Sequence, residues 1–579
     1  MKHVFLGVIA LLSVHLLPAQ EKAWVFLSDK GPDAACQLTA PTNVISEAAW
    51  ARRQAKGIGL SESDLPVYQA YLSQLSQQAE IIASSKWLNA VVVDPAHCDM
   101  EALLALPFVT GTRPVETLVG AAAQAAPATP LAPLENLSPN RAWAKDYGRA
   151  AFQNEMVNIP AYHDQGFTGK GVRVAVFDGG FIGADTIAVF DTLRARGQIL
   201  FTYDFVENQQ AVYHTHPHGT QVLSTIAANI PGKMVGSAPD ANFILCRTED
   251  TRSETEKEEY NWLRAVEWVD SIGVDIIHSS LGYTTFDDPT TSHKYEDLDG
   301  NSTVITRAAD LAAKKGILVC TSAGNEGGGS WRYIAAPCDA DSALCVGAVD
   351  RYLKRSFFSS VGPTSDGRTK PDVVAMGTRT TVAHPNNRIY GGNGTSFSAP
   401  IMAGFAACLI QAHPDKPFME IIRAIRLSAD QAGLPDTDYG YGIPNAVKAD
   451  SLLKATEYLA AVKIAMAEKP YRGRKPKPKP AVEKKPAQPE TQPAVAVEEE
   501  FPNYTRTEVG KVVKITATNA ARIKKAVIYQ GKKKITFDPD DLVKEGSTLT
   551  INTEYLLKGD YEIKFVTDKF KERIPFSIK

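Results

Sequence analysis

Between residues 167 and 449, short apolar runs alternate with amphipathic stretches of helical period. The apolar runs cover residues 172–177, 243–246, 275–277, 317–320 and 345–348. Runs of this length, separated by helix-length segments, are typical of βαβ units. Because such units place parallel strands in one sheet and helices on both faces, the pattern predicts an α/β fold with a mostly parallel sheet.

A small unit precedes this region. Residues 21–118 hold a strand-like run at 23–27, helix-like stretches at 46–55 and 63–79, and a second apolar run at 88–93. These elements are enough for one small α+β domain. Residues 119–149 are predicted to be a connector, because their first part, 119–134, carries no charge and is rich in alanine and proline.

Another small unit follows it. The parallel-sheet domain is assigned to residues 150–456, and a linker rich in proline and lysine to residues 457–502, which cannot bury enough apolar surface to fold alone. Residues 503–579 alternate polar and apolar side chains between turns at Gly531, Gly546 and Gly559. This alternation predicts an all-β, sandwich-like domain.

The amino terminus has the parts of a secretory signal in order. Lys2 precedes an apolar run at 4–17, and small residues follow near Ala19. This run is shorter than the roughly 20 residues that span a bilayer, so a signal peptide over residues 1–20 fits better than a membrane anchor. The sequence therefore predicts an exported protein, secreted or held at the cell surface.

Charge and cysteine content exclude two classes of protein. The 579 residues carry 62 Lys and Arg against 65 Asp and Glu, a net charge of -3, so no global positive field recruits nucleic acid. The seven cysteines are too few and too scattered for a disulfide scaffold. Cys338 and Cys345 are close enough in the chain for a bridge, and Cys36 and Cys98 are a second candidate pair.

Ser396 is the first candidate for chemistry. It lies in the segment GTSFSAP at 394–400, which opens a long run of small and apolar residues. A serine at a helix start lies beside free backbone N–H groups and the positive end of the helix dipole, which favour negative charge developing nearby. Taken alone, Ser396 is more often an N-cap than a nucleophile, so other groups must agree.

His218 is the candidate base. It lies in HTHPHGT at 214–220, directly before a helix-like run, and an imidazole with an ordinary pKa of about 6.5 can take a serine proton near neutral pH. Three histidines at alternate positions also suggest a metal site. Because Pro217 interrupts a strand there, and no cysteine or acidic cluster flanks the segment, the base is preferred.

Asp178 and Asn325 each follow a buried strand. Asp178 ends the run at 172–177, and Asn325 follows the run at 317–320. Sites in open α/β sheets gather at the carboxyl ends of strands, although either residue alone also fits a turn. An acyl transfer needs donors for its oxyanion, and the Asn325 amide with the Ser396 N–H would supply them.

Over roughly residues 150–450 the chain resembles the subtilisin-like serine peptidases, the subtilases. The Asp, His, Ser chain order is that of subtilisin. The shared motifs are VAVFDGG around Asp178, HGT at His218, SSLG at 279–282, SAGNEG around Asn325, KPDVVA at 370–375 and GTSFSAP around Ser396. The resemblance implies a serine endopeptidase without a catalytic cofactor. In such an enzyme Asp178 orients His218, His218 is the general base and then acid, Ser396 forms the acyl-enzyme and Asn325 donates to the oxyanion.

The resemblance also implies a set of substrate-binding residues, namely Ser280, Leu281, Gly282, Ser322, Ala323 and Gly324. Residues 280–282 are expected to offer an edge strand to an extended peptide. Together with residues 322–324 they are expected to line the pocket for the side chain before the scissile bond. The nearby loop Trp-Arg-Tyr at 331–333 does not match the family pattern. Specificity stays open, since the arginine favours acidic side chains whereas the aromatic residues narrow the pocket.

The unit at 21–118 has the position and size of a subtilase propeptide, which is an inhibitor and folding chaperone. A cut between about residues 114 and 146 would release it, so the protein would be a zymogen whose partners are protein or peptide substrates and its own propeptide. Many subtilases bind structural calcium, and Asp297, Asp299 and Asn301 hint at oxygen ligands. Because no glutamate follows at EF-hand spacing, a solvated acidic loop is preferred and calcium stays unassigned.

Two questions of function stay open at the sequence level. A catalytically silent scaffold of subtilase shape could use the basic stretch at 469–480 and the β domain for adhesion. The last residues, 556–579, are similar to the carboxyl-terminal sorting domains that some bacterial proteins present to an outer-membrane secretion system. Substrate binding is the other role considered for this domain.

Overall fold

The computed structural model describes residues 22–114 and 146–455, and from residue 497 onward the backbone of a set of strands. The chain divides into two compact units, with the main boundary near residue 455. The predicted signal peptide at 1–20, most of the predicted connector and residues 457–496 of the predicted linker lie outside the described residues.

Residues 22–114 form a small antiparallel sheet with short helices, in the strand order β2-β3-β1-β4. Neighbouring residues on a strand face opposite sides, so Val25 packs in the unit's own core while Trp24 packs in a core shared with the larger domain. The elements are β1 (Ala23–Leu27), α1 (Ala34–Gln37), α2 (Glu47–Ala55), α3 (Gln69–Leu75), β2 (Ile81–Ser85), β3 (Ala90–Val93), α4 (Met100–Leu104) and β4 (Val109–Pro114).

Residues 146–455 contain a sheet of seven parallel strands in the order β13-β12-β11-β10-β5-β9-β6, which confirms the predicted α/β class. The strands are β5 (Arg173–Asp178), β6 (Ile199–Asp204), β9 (Asn242–Arg247), β10 (Ile276–Ser279), β11 (Leu318–Ser322), β12 (Ala343–Val349) and β13 (Val373–Met376). Two short hairpins add β7 (Asn229–Ile230) to β8 (Met234–Val235), and β14 (Thr380–Ala383) to β15 (Ile389–Gly392).

Helices cover both faces of this sheet. Val174 and Val176 of β5 pack in one core with α8 (His218–Ala227) and α11 (Thr395–Ala412). Ala175 and Phe177 pack in the other core with α9 (Lys257–Ile272) and α10 (Val304–Lys314). Burial on both faces explains the continuous apolar runs of the strands. The helices of this domain are α5 (Ala151–Glu155), α6 (Ile159–His163), α7 (Asp191–Ala195), α8 (His218–Ala227), α9 (Lys257–Ile272), α10 (Val304–Lys314), α11 (Thr395–Ala412) and α12 (Phe418–Ser428).

Helix α11 is apolar on all sides because it lies inside the core. By length and composition alone it could cross a membrane, but nearly all of it is buried within the protein. A core helix of a soluble domain has the same composition. Its amino-terminal end reaches the carboxyl edge of the parallel sheet.

The second unit consists of two antiparallel sheets, β16-β17-β18-β22-β21 and β20-β19-β23-β24, as the all-β prediction requires. Its strands are β16 (Val497–Glu500), β17 (Tyr504–Val509), β18 (Val512–Ala517), β19 (Ile523–Gln530), β20 (Lys533–Ile535), β21 (Leu542–Glu545), β22 (Thr548–Asn552), β23 (Gly559–Thr567) and β24 (Lys571–Ile578).

The two cysteine pairs considered as disulfides differ in the structure. Cys338 and Cys345 form a disulfide, with Cα atoms 5.0 Å apart. A bridge between Cys36 and Cys98 is wrong: both are free thiols, and Cys98 Sγ donates to Met100 Sδ at 3.5 Å.

Candidate active site

Asp178 is the last residue of β5 and is fully buried. Its Oδ1 accepts a hydrogen bond from Gly179 N at 2.8 Å, and both carboxylate oxygens lie 2.9 Å from His218 Nδ1. The carboxylate therefore faces the imidazole from the carboxyl edge of the sheet, and the proton on His218 is held at Nδ1, leaving Nε2 as the acceptor.

Glycines allow helix α8 to begin beside β5. Gly180 has φ +144°, and a β-carbon on it would lie 2.0 Å from Thr215 Oγ1. A β-carbon on Gly219 would lie 2.5 Å from the Gly180 carbonyl oxygen. A side chain at either position would push the start of α8 away, so the glycines beside the two motifs are what bring His218 to Asp178.

The environment of His218 acts on its pKa in two directions. Burial disfavours the charged imidazole, but the Asp178 carboxylate and its hydrogen bond outweigh burial and raise the pKa of His218 above its ordinary 6.5. The imidazole is thus a stronger base than an isolated histidine, and it is oriented by a group on a rigid strand.

Ser396 lies in the first turn of α11, where backbone N–H groups have no partner within the helix. Its hydroxyl donates to the Ser280 carbonyl oxygen at 3.2 Å, while Ser280 Oγ donates to the Ser396 carbonyl oxygen at 2.9 Å. Within the described part of the chain no hydrogen bond joins Ser396 to His218. The ring of Phe397, the next residue, lies 5.7 Å from the imidazole, so the first turn of α11 lies beside His218.

The Asn325 amide is fixed at its oxygen, and among the described residues its Nδ2 donates no hydrogen bond. Its Oδ1 accepts from Thr395 N at 2.9 Å and from Thr395 Oγ1 at 3.0 Å. Gly394 has φ +149°, and a β-carbon there would lie 3.6 Å from Ser396 N and 3.7 Å from Asn325 Nδ2. Two N–H donors therefore approach one point beside the Ser396 side chain, which is the arrangement that an oxyanion needs.

The two predicted substrate-binding segments lie at neighbouring strand ends. Residues 280–282 follow β10 and leave the sheet without forming a regular strand, so the expected edge strand is an extended segment beyond the sheet. Residues 322–324 begin at the last residue of β11. Because β10 and β11 pair in parallel, the segments that follow them start side by side, and we call the space between these two segments the slot.

Ala335 forms the floor of this slot. Its N–H donates to the Ala323 carbonyl oxygen at 3.1 Å. A β-carbon on Gly282 would lie 2.8 Å from the Ala335 Cβ, and one on Gly324 would lie 3.5 Å from it. The methyl group of Ala335 therefore occupies space between the two walls. The Tyr333 ring of the neighbouring loop stacks on Tyr295 at 4.1 Å.

Four residues of this site were not assigned a role from the sequence. Gly394 and Thr395 belong to the GTSFSAP motif, so their place in the motif was the available signal. His278 is fully buried, burial lowers its pKa to about 3, and its Nε2 lies 2.7 Å from Ser280 Oγ. Ala335 follows a loop that departs from the family pattern, and only the folded chain brings it to the slot.

The residues that hinted at calcium are occupied by turns. Asp299 Oδ1 accepts from Asn301 N and Ser302 N, both at 2.8 Å, and Asp297 Oδ2 accepts from Lys294 N at 2.7 Å. Each carboxylate accepts hydrogen bonds from backbone N–H groups of its own loop. This supports the solvated acidic loop over a cation site.

A different cluster brings acidic groups to the first histidine of HTHPHGT, which the sequence did not indicate. Ligand atoms of Asp204, Glu207 and His214 all lie within 4.8 Å of one another. Arg247 Nη1 already pairs with Asp204 at 2.8 Å and with Glu207 at 3.4 Å. An internal cation and one imidazole donor do not fit calcium, which takes six to eight oxygen ligands.

Comparison with known proteins agrees with this geometry. Residues 169–442 match the model of the subtilase family, and residues 22–128 match that of the peptidase S8 propeptide domain of Bacteroidota. Subtilisin NAT of Bacillus subtilis subsp. natto is 32% identical over 293 residues, which are 50% of this chain and 68% of the relative.

The chain belongs to the subtilase family. Subtilisin of Bacillus pumilus and Subtilisin Savinase of Lederbergia lenta are 31% and 30% identical, and in each the match spans 50% of this chain and 94% of the relative. This subtilase is therefore a subtilisin-like serine endopeptidase preceded by a propeptide, as the sequence predicted. Subtilases need no cofactor for catalysis.

Proposed function

We propose that Ser396, His218 and Asp178 act as the catalytic triad of this subtilase. Ser396 Oγ attacks the carbonyl carbon of the scissile peptide bond while His218 Nε2 takes its proton. His218 then gives that proton to the leaving amine, which leaves an acyl-enzyme. A water molecule attacks the acyl carbon with His218 again as the base, and the acid product leaves Ser396 free.

One observation carries this proposal: the contact of His218 Nδ1 with both Asp178 oxygens, on the edge of the sheet where α11 begins with Ser396. Asp178 holds the tautomer that leaves Nε2 free to accept, and it stabilises the imidazolium that forms. The raised pKa of His218 agrees with that role.

The Ser396 hydroxyl must turn before it can attack. Its present acceptor is the Ser280 carbonyl, and one rotation about the Cα–Cβ bond moves it to another staggered position. Catalytic hydrogen bonds are often loose in the free enzyme and tighten only when substrate is bound. We infer that a bound peptide, pairing with residues 280–282, displaces the hydroxyl from that carbonyl.

The oxyanion is assigned to Asn325 Nδ2 and Ser396 N. Both atoms approach the space that Gly394 leaves open, and the Asn325 carbonyl oxygen is already held by Thr395. Because the donors are fixed before the reaction, they need no reorganisation when the charge develops.

We propose that a peptide substrate pairs its main chain with Ser280, Leu281 and Gly282. The side chain before the scissile bond then lies between this segment and the second one, which consists of Ser322, Ala323 and Gly324. The Ala335 methyl lies between Gly282 and Gly324, which supports a preference for small side chains there. The aromatic rings of the adjoining loop take up their own contacts instead of lining the slot.

We propose that the protein matures in steps that follow the predicted domain boundaries. Residues 1–20 direct export, residues 21–118 are removed as the propeptide, and residues 150–456 remain as the catalytic domain. If the enzyme cuts its own connector, a Ser396→Ala chain stays at full length where the parent shortens. Equal shortening of both would assign the cut to another protease.

The carboxyl-terminal domain is proposed to carry the protein to an outer-membrane secretion system, after the likeness of residues 556–579 to sorting domains. A chain without residues 503–579 should accumulate in the periplasm, detected by cell fractionation. Unchanged export would leave substrate binding as the role of this domain.

Hydrolysis of casein and of a peptide anilide by the processed protein tests the triad. Ser396→Ala and His218→Ala should each lower kcat by about 10⁶, the size known for subtilisin itself. His214→Ala is the matched control, because His214 is an exposed histidine of the same segment. A parent protein that is folded and processed yet hydrolyses neither substrate would favour the silent scaffold.

A further inference from the structure

The propeptide domain contacts the catalytic domain at two places. Its sheet packs on the face that carries α9 and α10, where Trp24 lies 5.5 Å from the ring of Tyr260. A second contact is made by residues 46–64, which we call the arm and which include α2. The arm lies beyond the sheet and reaches a different part of the catalytic domain.

The arm binds backbone carbonyl groups at three connections of the catalytic domain. Ser46 N donates to the Ser271 carbonyl oxygen at 2.8 Å. Arg52 Nη1 donates to Gly316 at 2.7 Å, and also to Lys315 at 2.9 Å. Lys56 Nζ donates to Pro414 at 3.0 Å, and its charge lies 4.2 Å above the Phe418 ring.

These connections lie at the edge of the sheet opposite the active site. Ser271 and Gly316 precede β10 and β11, so they are at the amino ends of strands whose carboxyl ends carry the substrate-binding segments. Pro414 follows α11, whose first turn contains Ser396. A helix of 18 residues is about 27 Å long, so the arm is too far from Ser396 to cover it.

Buried charges join the arm to the catalytic domain. Arg53 is fully buried and pairs with Asp64 at 2.8 Å within the arm and with Asp270 at 2.6 Å across the interface. Lys315 of the catalytic domain pairs with Asp64 at 2.6 Å. Breaking a buried pair leaves an uncompensated charge, so separation of these partners is opposed until water can enter.

The backbones also fit closely at this interface. Gly273 has φ +86°, and a β-carbon on it would lie 2.6 Å from Ala49 N in α2. A side chain at this position would keep α2 from docking. The catalytic domain thus presents a fitted surface to the arm and not a general charged patch.

We propose that the arm is a retention element, which keeps the cut propeptide on the enzyme by binding the edge opposite the active site. This inference rests on the proposed zymogen function and adds a docking surface that the catalytic residues do not use. Because the arm does not reach Ser396, it slows release of the propeptide without itself blocking substrate.

The test uses the full chain with Ser396→Ala and a recognition sequence for a site-specific protease placed within residues 119–134. Cutting with that protease gives the processed complex whether or not the enzyme can cut itself. Release of the propeptide is then followed by gel filtration against time. Retention can therefore fail while hydrolysis holds, and hydrolysis can fail while retention holds.

Arg52→Met and Lys56→Met are the main variants, because each removes one side chain and leaves the buried pairs of Arg53 in place. Lys56 is partly exposed, whereas only 7% of the Arg52 side chain is exposed and its Nη2 also pairs with Asp270 at 3.1 Å. Glu101→Gln is the control, an exposed charge on α4 of the same domain. We expect Arg52→Met to release the propeptide about tenfold faster or more, the size of a lost charged hydrogen bond, and Lys56→Met several-fold faster.

Arg53→Met should act more strongly, and the melting temperature of the uncut chain shows whether it folds. If it does not fold, the Arg52→Met and Lys56→Met variants decide. Release at the parent rate from both Arg52→Met and Lys56→Met would overturn the proposal.

Discussion

At the scale of single residues, Asp178 determines both the direction and the basicity of His218. The carboxylate holds Nδ1 at 2.9 Å and raises the pKa of the imidazole. Only neutral His218 can accept the serine proton, so activity should rise as pH passes upward through that pKa. The acid limb of kcat/KM should therefore lie above pH 6.5.

Asp178→Asn should move this limb to lower pH, because removing the negative charge lowers the pKa of His218. It should also lower kcat by about 10⁴, since the amide no longer enforces the productive tautomer. Peptide anilide hydrolysis between pH 5 and 10 measures both effects. An acid limb that stays in place in the variant would mean that another group titrates.

Asn325 and Gly394 shape one small volume. Asn325→Ala removes a donor and should lower kcat by about 10² to 10³ with little change in KM, a size known for subtilisin itself. Gly394→Ala should lower kcat at least as much, because its methyl group would fill the space between the donors. Steady-state kinetics separates the two constants, and a rise in KM alone would place Asn325 in ground-state binding.

Ala335 should limit the first side chain that the slot accepts. Ala335→Gly removes the methyl between the two walls, so kcat/KM for a peptide with phenylalanine before the scissile bond should rise about tenfold relative to one with alanine. Two anilides that differ only at this residue measure the ratio. Ala340→Gly is the control, a buried alanine in the loop that follows. An unchanged ratio would place the limit on size elsewhere.

At the scale of elements, the segment after the slot floor is fastened by a covalent bond. Cys338 N donates to the Ala335 carbonyl oxygen at 2.8 Å, and the Cys338–Cys345 disulfide ties this turn to β12. Cys338→Ser with Cys345→Ser should lower the free energy of unfolding by about 2 kcal/mol, given the short loop that the bridge closes.

Thermal unfolding with and without reductant measures this contribution. Reductant should lower the melting temperature of the parent toward that of the double variant and leave the variant unchanged. An equal effect of reductant on both proteins would show that the bridge does not stabilise the fold.

Elements with a strong period were predictable from the sequence. The apolar run at 23–27 is strand β1, and the run at 172–177 matches β5 to within one residue. The helix expected at 63–79 is shortened to Gln69–Leu75, because Pro66 interrupts it and residues 62–64 form a separate turn. Local pattern finds strands, while helix ends depend on breakers inside an otherwise favourable run.

The candidate site was predictable only where motifs supply it. Asp178, His218, Asn325 and Ser396 lie in short motifs with a known order, so the local sequence was sufficient to select them as candidates. Ala335, by contrast, is brought to the slot by its main-chain hydrogen bond to Ala323 and by the main-chain pairing of Ala336 with Tyr283. No local pattern encodes these contacts. The same holds for the arm, whose partners lie more than 200 residues away in the chain.

At the scale of the whole molecule, the propeptide domain and the catalytic domain share a core and an ion-pair network within one compact unit. A parallel sheet is assembled from contacts distant in sequence and folds slowly, so a domain that covers α9 and α10 can act as a template. The same contacts that assist folding then oppose release, and maturation must overcome both.

Catalysis by this subtilase requires an activated Ser396, and a serine-directed fluorophosphonate tests this directly. The reagent forms a covalent bond to a hydroxyl that a neighbouring base activates, and peptide mass spectrometry locates it. We expect one label per processed molecule, on Ser396, and none after His218→Ala. Processed, folded protein that takes no label on Ser396, or that labels equally without His218, would contradict the account.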